Sequence, residues 1–151
     1  MYRLFTFFFS LFLFVACQNS STSEHGKPLP STNTITELQS SINNSRLKTY
    51  PFLDCMYSDS YFPPSLVDTC QMILIQLCKE MDGYKNPKKA YFKMHAHQAV
   101  EAINELQTDF FEQNSEIETV ARECLARDFK LIADQYDQAI PIEEIIANRK
   151  W

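Results

Sequence analysis

Glycine is nearly missing from this chain: 151 residues contain two, Gly26 and Gly83. Phosphate-cradling loops of the GxGxxG or GxxxxGK[ST] kind, and the GxSxG nucleophile elbow, are therefore excluded. With them go the dinucleotide-binding folds, the P-loop enzymes and most α/β-hydrolases. So few glycines also disfavour a fold built on many tight β-turns. No apolar run approaches the ~20 residues a membrane-spanning helix needs. An excess of positive charge is lacking as well. The formal net charge is −5, which argues against a nucleic-acid partner, because such binders need a basic footprint. Five cysteines occur without a CxxC spacing, so a dithiol redox enzyme is not expected. Neither a catalytic residue nor a cofactor motif emerges.

What is present begins with a processed-looking N-terminus. Arg3 is the only basic side chain before the apolar run Leu4–Ala16, which suits the h-region of a signal peptide and is too short to span a bilayer. Phe14-Val15-Ala16-Cys17 resembles a bacterial lipobox, with Phe14 where leucine is usual. The resemblance implies cleavage after Ala16 and a diacylglycerol on the Cys17 thiol. Ordinary secretion and an uncleaved apolar anchor are the alternatives. Each buried lipid methylene contributes about 0.8 kcal/mol, so two or three chains on Cys17 make a lasting tether. Gln18 after the cysteine leans towards the outer membrane of a bacterial envelope.

The sequence divides into a signal peptide at 1–16, a lipidated cysteine with a polar tether at 17–48, and a helical domain at 49–151. "QNSSTSEHGKPLPSTN" lacks any hydrophobic period and reads as disordered. Thr34-Ile35-Thr36-Glu37 is a capping-box pattern that would open a short helix within the tether. From Pro63 the period is helical. Leu66, Cys70, Ile73, Leu74, Leu77 and Met81 share one stripe, with Pro64 in the first turn and Gly83 at the stop. A second helix is predicted from Asn86-Pro87 to about Gln113, burying Phe92, Ala96, Ala99, Ile103, Leu106 and Phe110. Ser115-Glu116-Ile117-Glu118 reads as the capping box of a third, which would bury Ile117, Val120, Ala121, Cys124, Leu125, Ile132 and Tyr136. Pro141 starts a short last helix. The expectation is an all-α, antiparallel bundle of three long helices with short flanking ones.

Three segments in order, "YPFLDCMYSDSYFPPSLVDT", "NSEIETVARECLARDF" and "IANRKW", resemble a bacterial family known as domain of unknown function 5713, over roughly Tyr50 to Trp151. The resemblance implies no activity and supplies no catalytic residues. It does imply a cytosolic ancestry for the folded part, with the lipobox and tether lying outside it.

Two candidate sites stand out. On the predicted second helix Glu101, Glu105, Asp109 and Glu112 cluster with His97 opposite the apolar stripe. Like charges at i,i+4 repel by about 0.2–0.5 kcal/mol per pair, and acids in the C-terminal half oppose the helix dipole. Helix stability does not account for that pattern; a solvated face or a docking strip for a basic protein partner would. The second candidate is the aromatic segment 50–62, where Asp54, Tyr57, Asp59 and Tyr61 either plug one end of the bundle or line a small-ligand pocket. His97 and Glu101 have the spacing to share a metal, but no Glu-x-x-His pair of the di-iron type occurs, and a metal is not expected.

Cys55, Cys70, Cys78 and Cys124 allow either free thiols or disulfides. Cys70 and Cys78 are about 12 Å apart along one helix and cannot bridge. The complete pairings are then 55–70 with 78–124, or 55–78 with 70–124. Glu118–Arg122 and Glu123–Arg127 have the spacing of helix-supporting ion pairs. The reading that results is a lipid-anchored, non-enzymatic protein-interaction module, one version being an immunity-type inhibitor of a basic toxin. Its rival is a ligand-binding protein or enzyme built on segment 50–62.

Overall fold

A computed structural model describes residues 32–151; the lipobox and the first half of the tether lie outside them. The elements are α1 (Thr32–Ser40), a 3-10 turn at Leu47–Thr49, α2 (Asp54–Tyr57), α3 (Pro64–Asp82), α4 (Lys89–Glu105), α5 (Gln107–Glu112), α6 (Thr119–Gln135) and α7 (Ile142–Ile145). The fold is all-α, with no strand among the described residues.

The central element is α3. Pro63 is extended and Pro64 occupies the first turn, where a missing N–H costs nothing. The helix buries Leu66, Val67, Cys70, Leu74, Ile75, Leu77, Cys78 and Met81. That is wider than the one stripe the period suggested, because α3 packs against α1, α2, α4 and α6 together. It stops at Gly83, whose φ is −67°. The glycine serves close approach here: a Cβ would stand 3.2 Å from the Glu80 carbonyl oxygen.

Four expectations shift. The folded domain reaches back to Thr32, so residues 32–48 are not tether: Ile35, Ile42 and Leu47 are buried in the core, and the Gln39 amide donates to the carbonyls of Leu47 and Tyr50. The capping box expected at Thr34 falls inside a helix already formed at Thr32. The second long helix breaks at Leu106, whose N–H bonds three residues back to Ile103, while the Gln107 side chain donates to the Asn104 carbonyl. Acids 101 and 105 thus sit on α4, and 109 and 112 on α5. The third long helix starts at Thr119, because Ser115 closes α5 instead of capping α6. The Ser115 N–H returns to the Phe110 carbonyl after Asn114 adopts φ 56°, a C-terminal closure with asparagine in the left-handed position. Glu118 then caps α6 by accepting from the Thr119 N–H, and Val120 faces outward.

The chain after α7 lies along α4. Asn148 donates to the His97 carbonyl, the Asn104 side chain donates to the Asn148 carbonyl and accepts from the Lys150 N–H, and Trp151 is buried.

Candidate functional site

The aromatic segment enters the domain through one strained residue. Leu53 holds φ 56°, ψ 29°, a left-handed conformation disfavoured for a branched, non-glycine side chain. Its side chain is fully buried, and its N–H donates to Asp128 Oδ2 at 2.7 Å. Asp128 is itself completely buried on the inner face of α6. Its Oδ1 accepts from the Tyr50 hydroxyl and from Arg127 Nε, both at 2.9 Å. Burial pushes the Asp128 carboxyl up, against the pull of the Leu53, Arg127 and Tyr50 donors. The Tyr50 phenol rises to about 12, first through burial and then through the carboxylate it serves.

Arg127 links this buried carboxylate to the surface. Its Nη2 donates to Asp54 Oδ1 at 2.6 Å and lies 3.7 Å from Cys124 Sγ. Burial works against the guanidinium charge, but the Asp128 and Asp54 carboxylates outweigh it and raise the pKa. The hydrogen bond from Arg127 holds the exposed Asp54 carboxyl below its ordinary value. Arg127 therefore does not make the expected pair with Glu123. Arg122, likewise, donates to Thr119 Oγ1 instead of pairing with Glu118, whose carboxylate caps α6.

A disulfide joins Cys55 in α2 to Cys124 in α6 beside this cluster. Neither complete pairing considered from the sequence occurs, and Cys70 and Cys78 are buried free thiols. The short helix α2 packs on α6, which brings Cys55 to Cys124, a pair contained in neither of those complete sets.

The remaining aromatic-segment candidates diverge. The Tyr57 hydroxyl lies 2.6 Å from Asp68 Oδ1 and 2.7 Å from Gln71 Oε1 on α3. Asp59 folds back to accept from the Tyr61 N–H, and Tyr61 rests edge-on against Phe62. Asp54, Tyr57, Asp59 and Tyr61 thus each turn to a different partner rather than into a shared cavity. Phe52, Leu53 and Phe62 fill the core beneath them.

The acidic strip divides in the same manner. Glu101 is held by Lys150 Nζ at 2.7 Å and by the Asn104 amide at 2.9 Å, and this lowers its carboxyl. His97 Nε2 lies 2.8 Å from the Glu144 carbonyl, so His97 and Glu101 are engaged with the C-terminal segment and not with each other. Glu105, Asp109 and Glu112 remain exposed. Between them stands Phe111, 71% exposed, on the rim of a cavity of about 340 Å³ that it lines with Gln107, Thr108, Glu116 and Ile117. From Glu101 to Ala121 the chain carries acids and no Lys, Arg or His.

Asp128 and Phe111 are the candidate-site residues that sequence reasoning missed. Asp128 had a signal, since it lies four residues from both Cys124 and Ile132 on the buried stripe of α6. Phe111 had none, because whether another element covers an aromatic beside the apolar stripe is settled only by packing. No curated protein and no solved structure matches this chain. A family model described as "Family of unknown function (DUF5713)" matches residues 46–151, from just before the 3-10 turn to the buried C-terminal tryptophan, and the chain belongs to that family.

Proposed function

We propose that this protein is a non-enzymatic interaction module, carried on a lipidated Cys17 at a bacterial envelope, that docks a basic protein partner through α5. The observation that carries the reading is Phe111, a large aromatic side chain standing in water amid uncompensated acids. Solvation of an aromatic ring is costly, and a ring at the centre of a polar rim is the usual composition of a binding hot spot. Glu105, Asp109, Glu112 and Glu116 supply the rim, and charge complementarity selects a partner that sets Lys or Arg around an apolar contact. Glu101 belongs to the fold, not to this surface, because Lys150 neutralises it. An immunity-type inhibitor masking a basic toxin is one form the module would take. The lipid-anchored placement rests on the signal-like run and the Cys17 lipobox.

Capture from envelope extract with the intact chain and with three variants tests the docking surface. Phe111→Ser and the triple charge reversal Glu105→Lys, Asp109→Lys, Glu112→Lys should each lose the captured partner at least tenfold, and Glu101→Gln should retain it. Equal capture by all four proteins would refute the α5 surface. Mass spectrometry of native material should show residues 1–16 removed and acyl chains on Cys17.

A further inference from the structure

We infer that the Cys55–Cys124 disulfide is a thiol-exchange site, which accepts a low-molecular-weight thiol on Cys55 and releases Cys124 as the leaving thiolate. The inference is independent of the α5 surface. Access is the first ground: Cys55 is half-buried, whereas Cys124 is 1% exposed, so an incoming thiolate meets the Cys55 sulfur. The leaving group is the second. Arg127 Nη2 points at Cys124 Sγ from 3.7 Å, so negative charge developing on that sulfur forms beside a guanidinium, and a stabilised thiolate leaves faster. The third is that Arg127 cannot drift away when the bond opens, being clamped by Asp54 on one side and buried Asp128 on the other.

The reaction balances with two equivalents of thiol. A thiolate RS⁻ attacks Cys55 Sγ, a new S–S bond forms there, and the electron pair of the old bond leaves on Cys124. A second thiolate attacks the mixed disulfide, releasing Cys55 as thiolate and RS–SR as the oxidised product. The protons shed by the two thiols end on Cys55 and Cys124. Cys70 and Cys78 do not compete as internal nucleophiles, since both are buried and burial pushes the Cys70 thiol up to about 12. Opening the bond leaves α2 docked, because the Arg127–Asp54 pair and the Leu53–Asp128 hydrogen bond still join it to α6. An exposed carboxylate, Asp54, approaches both sulfurs within 4.8 Å, which favours a cationic thiol and makes cysteamine the probe.

The oxidised full chain is incubated with cysteamine at neutral pH, quenched in acid, alkylated and mapped by mass spectrometry. The expected product is cysteamine on Cys55 with Cys124 recovered as a free thiol. Arg127→Gln should slow opening about tenfold, and Arg127→Lys less than threefold. If Arg127→Gln does not fold, single cysteine variants decide. Cys55 in the Cys124→Ser protein should react with cystamine at least tenfold faster than Cys124 in the Cys55→Ser protein. An adduct on Cys124, opening only in denaturant, a folded Arg127→Gln protein that opens at the wild-type rate, or equal reactivity of the two single cysteines would each overturn the inference.

Discussion

Asp128 shows how one buried charge organises a small domain. A carboxylate without water needs every lone pair satisfied, and Asp128 obtains its donors from Tyr50, Leu53 and Arg127. The left-handed backbone of Leu53 goes with it: at φ 56° its N–H donates to Asp128 Oδ2 while its side chain fills the core. Removing the carboxylate should strand all three donors. Asp128→Ala is expected to cost about 2–4 kcal/mol, chiefly through the unsatisfied Leu53 N–H, whereas Tyr50→Phe, which leaves Asp128 its other partners, should cost about 1 kcal/mol. Denaturant unfolding of the two variants checks the ratio, and near-equal losses would mean that Asp128 is not the hub. At this scale the sequence was partly legible. An aspartate on an apolar stripe is a visible anomaly, but its partners lie 75 and 78 residues away in the chain.

Among the elements, the helix ends diverged most from the sequence reading. Pro64, Gly83 and Pro141 marked ends correctly, because proline and glycine act through their own covalent geometry. Ser115 and Asn86 misled, because a capping residue works only if its neighbours leave it free. Ser115 is consumed in closing α5, and α4 starts only after an extended Lys88. Two helices end through left-handed Asn114 and Asp137, with return bonds from Ser115 N–H to Phe110 and from Gln138 N–H to Ala133. Asparagine and aspartate tolerate that conformation better than other non-glycine residues. Asn114→Gly should therefore be neutral or slightly stabilising, and Asn114→Ala should lose about 1 kcal/mol. Thermal melts of both variants test this; a melt unchanged by alanine would show that the turn is not under conformational constraint. The closure also holds α5 in place, and with it Phe111.

Across the whole molecule, α3 gathers the other helices and tyrosine hydroxyls tie them together. Tyr50 reaches α6, Tyr57 reaches α3, and Tyr136 donates to Asp82 and the Cys78 carbonyl at the end of α3. Burial, reinforced by the carboxylate each one faces, raises all three phenols. Tyr50, from an ordinary value of 10.0, reaches about 12. A phenol raised on folding stays protonated in the native state while the unfolded chain ionises. Its stabilising hydrogen bond is therefore fully present below pH ~10 and is lost as pH rises through the folded value. Unfolding free energy should fall steadily above pH ~10, with a slope reduced in Tyr50→Phe and Tyr136→Phe; a slope identical to the wild type in both would exclude these phenols as its source.

Helical class, the buried stripes of α3 and α4, and the acidity of the region around α5 were determined by the sequence alone, because hydrophobic period and charge are properties of neighbours a few residues apart. The tertiary structure decided the rest. It drew Ile35, Ile42 and Leu47 into the core, chose Cys55 and Cys124 as the bonded pair, sent Glu101 to Lys150, and left Phe111 uncovered. Each of those outcomes depends on which surfaces meet between elements far apart in the chain, and no local pattern encodes that.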